Sequence, residues 1–356
     1  MIVLYVILAV LVLLLMITIH EAGHYTAGKL LGFGITEFSV GLGPKLLSRR
    51  LRSGEEISLR ALPLGGYCAF VGEDDQLSPG GNAVGEETKR PQAAFDEQKP
   101  WKRIVVLLMG PMFNLLSAFV FSFIYIISVG YAVPVVTELA VDPSTGEPYA
   151  SELAEGDRIV AVNGKEITFL DTADELISAT EDGGAATFTV ERGGKLIEVT
   201  AEKSYVHNGE HMFGVTMTYE SRSVDVAHAA AYSFPYTFEL SWAIIRSFGS
   251  LFTGAVPLTD VTGPIGTVSA IATYAEADIR YFLLFLPLIA SNLAIFNILP
   301  IPALDGARIV FAMIEWIRRK PINKKTENTI HAVGLIALLA FVVVVDITGI
   351  IARSLS

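Results

Sequence analysis

Ile2-Val-Leu-Tyr-Val-Ile-Leu-Ala-Val-Leu-Val-Leu-Leu-Leu-Met-Ile-Thr-Ile19 is an uncharged apolar run, and His20-Glu-Ala-Gly-His24 follows it without a break. A helix needs about 20 apolar residues to cross the hydrocarbon core of a bilayer, so the run is long enough to span. A cleaved leader would need a basic start and a small-residue cleavage site. Met1-Ile2-Val3-Leu4 carries no Lys or Arg, and the run ends in a polar cluster, so a retained span is expected. The rest of the chain agrees with that class. Of its 356 residues 52% are apolar and only 18% are Asp, Glu, Lys or Arg, against about 25% charged in an average soluble domain. Mean hydropathy is +0.50. The net charge of -11 argues against a nucleic-acid partner, which calls for a basic patch. The single Cys68 permits no internal disulfide.

Further apolar stretches run from Ile104 to Val133, Tyr281 to Ile301 and Ala332 to Ile351. A candidate at Val226–Ala255 contains Glu239 and Arg246 and fits an amphipathic surface helix. Loop charge orients the spans, because Lys and Arg stay on the cytoplasmic side. Residues 29–103 hold 11 Lys+Arg and 10 Asp+Glu, and 304–330 hold 6 against 3, whereas 134–280 hold 8 against 22. Four transmembrane helices with both termini outside satisfy this, and 226–255 then lies on the membrane surface or lines a groove. Residues 72–100, with Gly72, Pro79, Gly80, Gly81, Gly85 and Pro91, read as a flexible cytoplasmic loop.

The acidic middle has the texture of an inserted soluble module. Turn, strand and turn over Ser151–Gly164, a helix over Asp174–Thr180 and two strands joined by Gly193-Gly194 resemble a PDZ domain, with Gly156, Asp157, Ile159, Val162, Asn163 and Gly164 carrying the likeness. The organisation expected is a first membrane half at 1–133, a PDZ-like α+β domain at 134–205, extracytoplasmic surface helices at 206–280 and a second membrane half at 281–356.

His20 and His24 stand at i and i+4, so a helix places both imidazoles on one face within reach of one metal ion. Glu21 beside them can take a proton from water activated by zinc, which lowers the pKa of its bound water to about 7. Two His and one Glu in an apolar span are costly unless paired or metal-bound. A catalytic zinc keeps three protein ligands. The acids beside apolar segments are Asp305, Glu315 and Asp346. Asp305 ends the third span at the depth of His20 and His24, while Asp346 reads as interfacial near the outer end of the fourth. Pro300 and Pro302 interrupt the helix there and free backbone groups that can line a cavity. Asn297 could hydrogen-bond an extended substrate backbone or another helix; Asn114 has the same two readings, with helix packing favoured.

Together these residues resemble the site-2 protease family of intramembrane zinc peptidases, in particular the bacterial regulator of sigma E protease group. His20-Glu-Ala-Gly-His24 and Asn297-Ile-Leu-Pro-Ile-Pro-Ala-Leu-Asp-Gly306 carry the resemblance. Glu37-Phe-Ser-Val-Gly-Leu-Gly-Pro-Lys45, Ala61-Leu-Pro-Leu-Gly-Gly-Tyr67, Trp101-Lys-Arg, Gly110-Pro-Met-Phe-Asn114 and Gly263-Pro-Ile-Gly266 support it. Two departures stand out: Ala307 replaces a second Gly after Asp-Gly, and there is room for one PDZ domain where larger members have two.

The resemblance implies an inner-membrane zinc endopeptidase that cuts the transmembrane segment of single-span proteins after an upstream site-1 protease has trimmed them. Anti-sigma factors and signal-peptide remnants are the substrates implied. A helical substrate must be unwound before water can attack. Ile57–Val71 reads as a hairpin turning near Pro63–Gly66, whose edge at Ala69 and Val71 could hold the unwound strand, with Asn297 and Pro302 as further substrate contacts. Two rivals remain, a non-proteolytic PDZ scaffold and a zinc transporter; the latter calls for several metal sites along a path.

Overall fold

The computed structural model describes residues 2–72, 94–150, 152–169, 171–207, 210–253, 263–277 and 279–355. Most of the loop expected at 72–100 therefore lies outside the described residues. In chain order the elements are α1 (Ile2–Leu31), β1 (Ile35–Arg50), β2 (Glu56–Phe70), a 3₁₀ turn (Phe95–Glu97), α2 (Pro100–Val129), β3 (Tyr131–Leu139), β4 (Arg158–Val162), β5 (Lys165–Glu166), α3 (Ala173–Ser178), β6 (Ala185–Arg192), β7 (Lys195–Glu202), β8 (Tyr205–His207), β9 (Glu210–Met212), β10 (Val215–Arg222), α4 (Val226–Thr253), α5 (Pro264–Ala277), α6 (Ile279–Ile298), α7 (Asp305–Arg318) and α8 (Lys324–Leu355). They form two units, Met1–Ser122 with Thr237–Ser356, and Phe123–Tyr236.

In the first unit α1 runs unbroken through the apolar stretch and the histidine motif, 30 residues or about 45 Å. Among the described residues three helices are long and apolar enough to cross a membrane: Val3–Leu31, Pro100–Val129 and Lys324–Gly349. The stretch expected as a third span from Tyr281 to Ile301 lies on α6, which ends at Ile298, just before the prolines at 300 and 302. Val226–Ala255 is not among the spanning helices, in keeping with its charges. α4 instead lines up Phe234, Phe238 and Trp242 at i, i+4 and i+8, each more than half exposed. The core joins Ala9, Val12 and Met16 of α1 to Ile271 and Ala275 of α5 and Phe285, Ile289 and Ala290 of α6.

β1 and β2 pair antiparallel through a turn at residues 51–55, not through the turn expected near Pro63–Gly66. The register folds back on itself: Val40 pairs with both Gly66 and Leu59, and Glu37 with both Ala69 and Glu56. The first half of β1 is thus flanked on both sides by parts of β2. No second strand pairs with residues 66–69 among the described residues. Polarity in this sheet is inverted. Ser39, Ser58 and Arg60 are buried while Leu46, Leu47, Leu59 and Leu62 are exposed.

The second unit is a six-stranded sheet ordered β10-β3-β4-β6-β7, with β5 on β4. Alternating side chains send Val136, Ile159, Val162, Phe188 and Val190 into its core, each at most 1% exposed. The unit is larger than the expected 134–205. β10 pairs along β3 from Val215↔Leu139 to Arg222↔Tyr131, so the start of the segment assigned to surface helices is strand, and the helices α4 and α5 follow it.

Candidate metal centre

Two helices and one loop meet around His20 and His24, both buried on the inner face of α1. α2 lies against them. The His24 Nδ1–H has the Val106 carbonyl as acceptor at 2.9 Å, which leaves Nε2 as the lone-pair nitrogen. One turn on, a Cβ at Gly110 would collide with His24 Nε2 and lie 2.9 Å from His20 Cε1. Only glycine allows α2 this close. A second turn on, Asn114 is fully buried with Nδ2 3.2 Å from His20 Nδ1.

The third group arrives from a loop built for it. α6 ends at Ile298, and the prolines at 300 and 302 have no N–H with which to continue it. Ala303 then takes φ +80°, a left-handed conformation strained for a residue with a Cβ, and donates its N–H to His331 Nδ1 at 3.0 Å. That reversal places Asp305 at the start of α7. A Cβ at Gly306 would strike the carbonyls of Leu299 and Ile298, which accounts for glycine after the aspartate. Ala307, where the related pattern has another glycine, is accommodated in the buried face of α7.

His20 Nε2 lies 2.9 Å from Asp305 Oδ2, His24 Nε2 lies 3.2 Å from it, and the two Nε2 atoms are 3.1 Å apart. Zinc bound at about 2.0–2.2 Å in a tetrahedral site spaces its ligand atoms by about 3.3 Å. Two imidazole nitrogens and one carboxylate oxygen in this triangle fit zinc closely. They form the one cluster of three metal-binding side chains among the described residues.

A cavity of about 580 Å³ opens on the triangle and takes in Glu21, Gly66, Ala69, Asn297 and His331 as well as the three ligand candidates. Gly66 is what lets β2 lie this close to β1: a Cβ there would sit 2.9 Å from the Ser39 carbonyl, while Glu21 Cγ at 3.6 Å would be an ordinary contact. Of the four residues expected to touch substrate, Asn297 and Ala69 line this cavity. Asn297 has already committed its amide N–H to the Leu293 carbonyl at 2.9 Å. Pro302 instead abuts Gly334 of α8. Val71 lies beyond β2 with both backbone groups used, its N–H on the Gly34 carbonyl at 2.8 Å and its carbonyl receiving the Phe95 N–H at 2.7 Å. Val71 therefore offers no free edge.

The other acids have structural duties. Glu315 pairs with Arg103 of the Trp101-Lys-Arg motif and accepts the Ile322 N–H at 2.8 Å, tying α7 to α2. Asp346, expected near the outer end of the fourth span, is buried within the protein. Its carboxylate faces the N–H groups of Ile265 and Gly266 at 3.5 and 3.4 Å, opposite the positive end of α5, which explains Gly263-Pro-Ile-Gly266. One residue at the site was not expected from sequence: His331 had no signal beyond being a histidine near an apolar run. Asn114 carried two readings, substrate contact and helix packing, with packing favoured.

The model of peptidase family M50 matches residues 8–341. The zinc metalloprotease RasP of Geobacillus kaustophilus is 28% identical over 400 residues, covering 92% of this chain and 93% of its own. Two proteins whose names assign them provisionally as zinc metalloproteases are equally similar. One, from Fusobacterium nucleatum, is 28% identical over 346 residues, 96% of this chain and 97% of its own. The other, from Clostridium perfringens, is 28% identical over 349 residues, 98% of each.

Proposed function

Because this chain belongs to peptidase family M50, the site-2 proteases, and is a membrane zinc metalloprotease, we propose that it hydrolyses peptide bonds within the transmembrane segments of single-span membrane proteins, with zinc on His20, His24 and Asp305 and with Glu21 as general base. One observation carries the reading: the convergence of the His20, His24 and Asp305 ligand atoms within 4.8 Å at the wall of a cavity that Glu21 shares.

Zinc in this site supplies Lewis acidity, polarising water and the scissile carbonyl. The protein does the rest. The Val106 carbonyl fixes one imidazole, Asp305 balances the charge of the cation, and Glu21 takes the proton of the attacking water and returns it to the leaving amine. Residues 66–69 line the cavity, and an unwound substrate added along them as a strand would present its backbone beside Glu21. The inverted polarity of the β1–β2 sheet supports its immersion in the membrane, where exposed leucines cost nothing and buried polar groups pair among themselves.

In the full reading α6 serves as a fourth span and the Phe123–Tyr236 unit is an extracytoplasmic PDZ-like domain. There it acts as a size filter that admits substrates only after an upstream protease has trimmed them. Membrane-bound anti-sigma factors and signal-peptide remnants are the substrate classes, and the active site lies toward the cytoplasmic side of the inner membrane. Glu21→Gln tests the chemistry. It should keep one zinc per chain while slowing cleavage of a single-span model substrate by about 10²–10⁴-fold. Unchanged cleavage would remove Glu21 from the reaction, and His24→Ala with full zinc would remove the site.

A further inference from the structure

Val106, Gly110 and Asn114 recur every four residues on α2, so one stripe of that helix faces the two histidines of α1. Val106 holds His24 and Gly110 makes the room. Asn114 is the third member. Its side chain has no exposure, and one end of its amide sits 3.2 Å from His20 Nδ1 while the other, Oδ1, is buried with no hydrogen-bond partner among the described residues. A buried amide with one polar neighbour is costly in an apolar helix interface unless that one contact matters.

The tautomer of His20 determines which end of the amide must face it. His20 Nε2 turns to Asp305 Oδ2 at 2.9 Å, and its Nδ1 meets the Nδ2 end of the Asn114 amide at 3.2 Å. When Nε2 serves as a metal ligand its lone pair is taken, and the ring proton of neutral His20 sits on Nδ1. Two donors would then face each other, and a half-turn of the amide brings Oδ1 round to accept the Nδ1–H. We infer that Asn114 is a positioning residue for zinc: its amide oxygen accepts the Nδ1–H of His20, orients the ring and raises the basicity of its ligand nitrogen. Aspartate could supply the same acceptor. The inference rests on the proposed zinc site.

The test uses the full-length zinc-loaded protein in detergent micelles and measures zinc affinity by competition with a chromophoric chelator. Asn114→Ala should bind zinc about 10–100-fold more weakly, the range for lost partners of metal-bound histidines. Asn114→Asp should bind as tightly as the parent or tighter. Ser122→Ala controls for packing. Ser122 is as buried on the same helix, bonded to Thr237 at 2.8 Å, and its loss should leave affinity unchanged. Affinity in Asn114→Ala within about threefold of the parent, or equal losses in the Ala and Asp variants, would overturn the inference, as would a comparable loss in Ser122→Ala. Full zinc in His24→Ala would instead overturn the site, and this inference with it.

Discussion

Replacing Gly110 by alanine tests how closely the site is built. The added methyl would lie 2.5 Å from His24 Cε1 and 2.9 Å from His20 Cε1, where ordinary contact begins at 3.4 Å. The His24 ring would have to retreat by 3.4 − 2.5, or about 0.9 Å. It has little freedom to do so, because its Nδ1 is tied to the Val106 carbonyl on the same helix. Moving α2 outward carries Val106 with it and pulls His24 off line just the same. Ligand distances must hold within about 0.2 Å, so a shift of nearly 1 Å breaks the triangle. We predict a loss of zinc affinity of at least about 100-fold, equivalent to about 2.7 kcal/mol, and a fall in kcat/KM at least as large. Zinc per chain after chelator challenge and cleavage of a single-span model substrate measure the two. Gly249→Ala on α4 is the companion, since a Cβ there meets nothing within 4 Å. It should leave zinc intact and stabilise the helix by up to about 1 kcal/mol. Parental zinc affinity in Gly110→Ala would refute the argument, for it would mean that the histidines are not confined by α2.

Two more outcomes are expected. Asp157 is fully buried, and although burial alone would raise its pKa, Arg192 at 2.6 and 2.7 Å and the Ala154 N–H at 2.9 Å hold the carboxyl below its ordinary value of 3.8. Its contribution to the sheet unit is therefore complete above about pH 4 and lost as pH falls through the lower folded value; urea melts at pH 7 and pH 3 should show a steeper acid loss in the parent than in Asp157→Asn, and equal slopes would refute it. Ala303→Gly relieves the left-handed φ of +80° and should raise stability by about 1 kcal/mol with zinc content unchanged, read by thermal unfolding; a fall in stability would show that the turn is not strained.

Much of the site could be read in the chain because its signals are local. His20 and His24 lie one helical turn apart, and an apolar run before them leaves metal binding as the cheapest reason for their presence. Asp305 could be matched to them by depth along its apolar stretch. The end of the third helix at Ile298 was less legible, since hydropathy does not register where prolines stop a helix. The strand turn near Pro63–Gly66 was misplaced for a related reason: turn-forming residues mark a bend, but which strands pair across it depends on a register that wraps β2 around both sides of β1.

Sequence by itself determined the class of molecule and the ligand types, because apolar length and the spacing of two histidines are properties of single segments. Only the tertiary structure decided what surrounds them. The acceptor for His24 is a backbone carbonyl, which every residue has and no motif can mark. The partner of His20 is an asparagine 94 positions away, whose role comes from the face of α2 that packing turns inward. Asp346, 80 residues from Gly266, meets the start of α5 for the same reason. These assignments follow from which helices touch, and contact between distant segments is set by the packed whole rather than by any stretch of it.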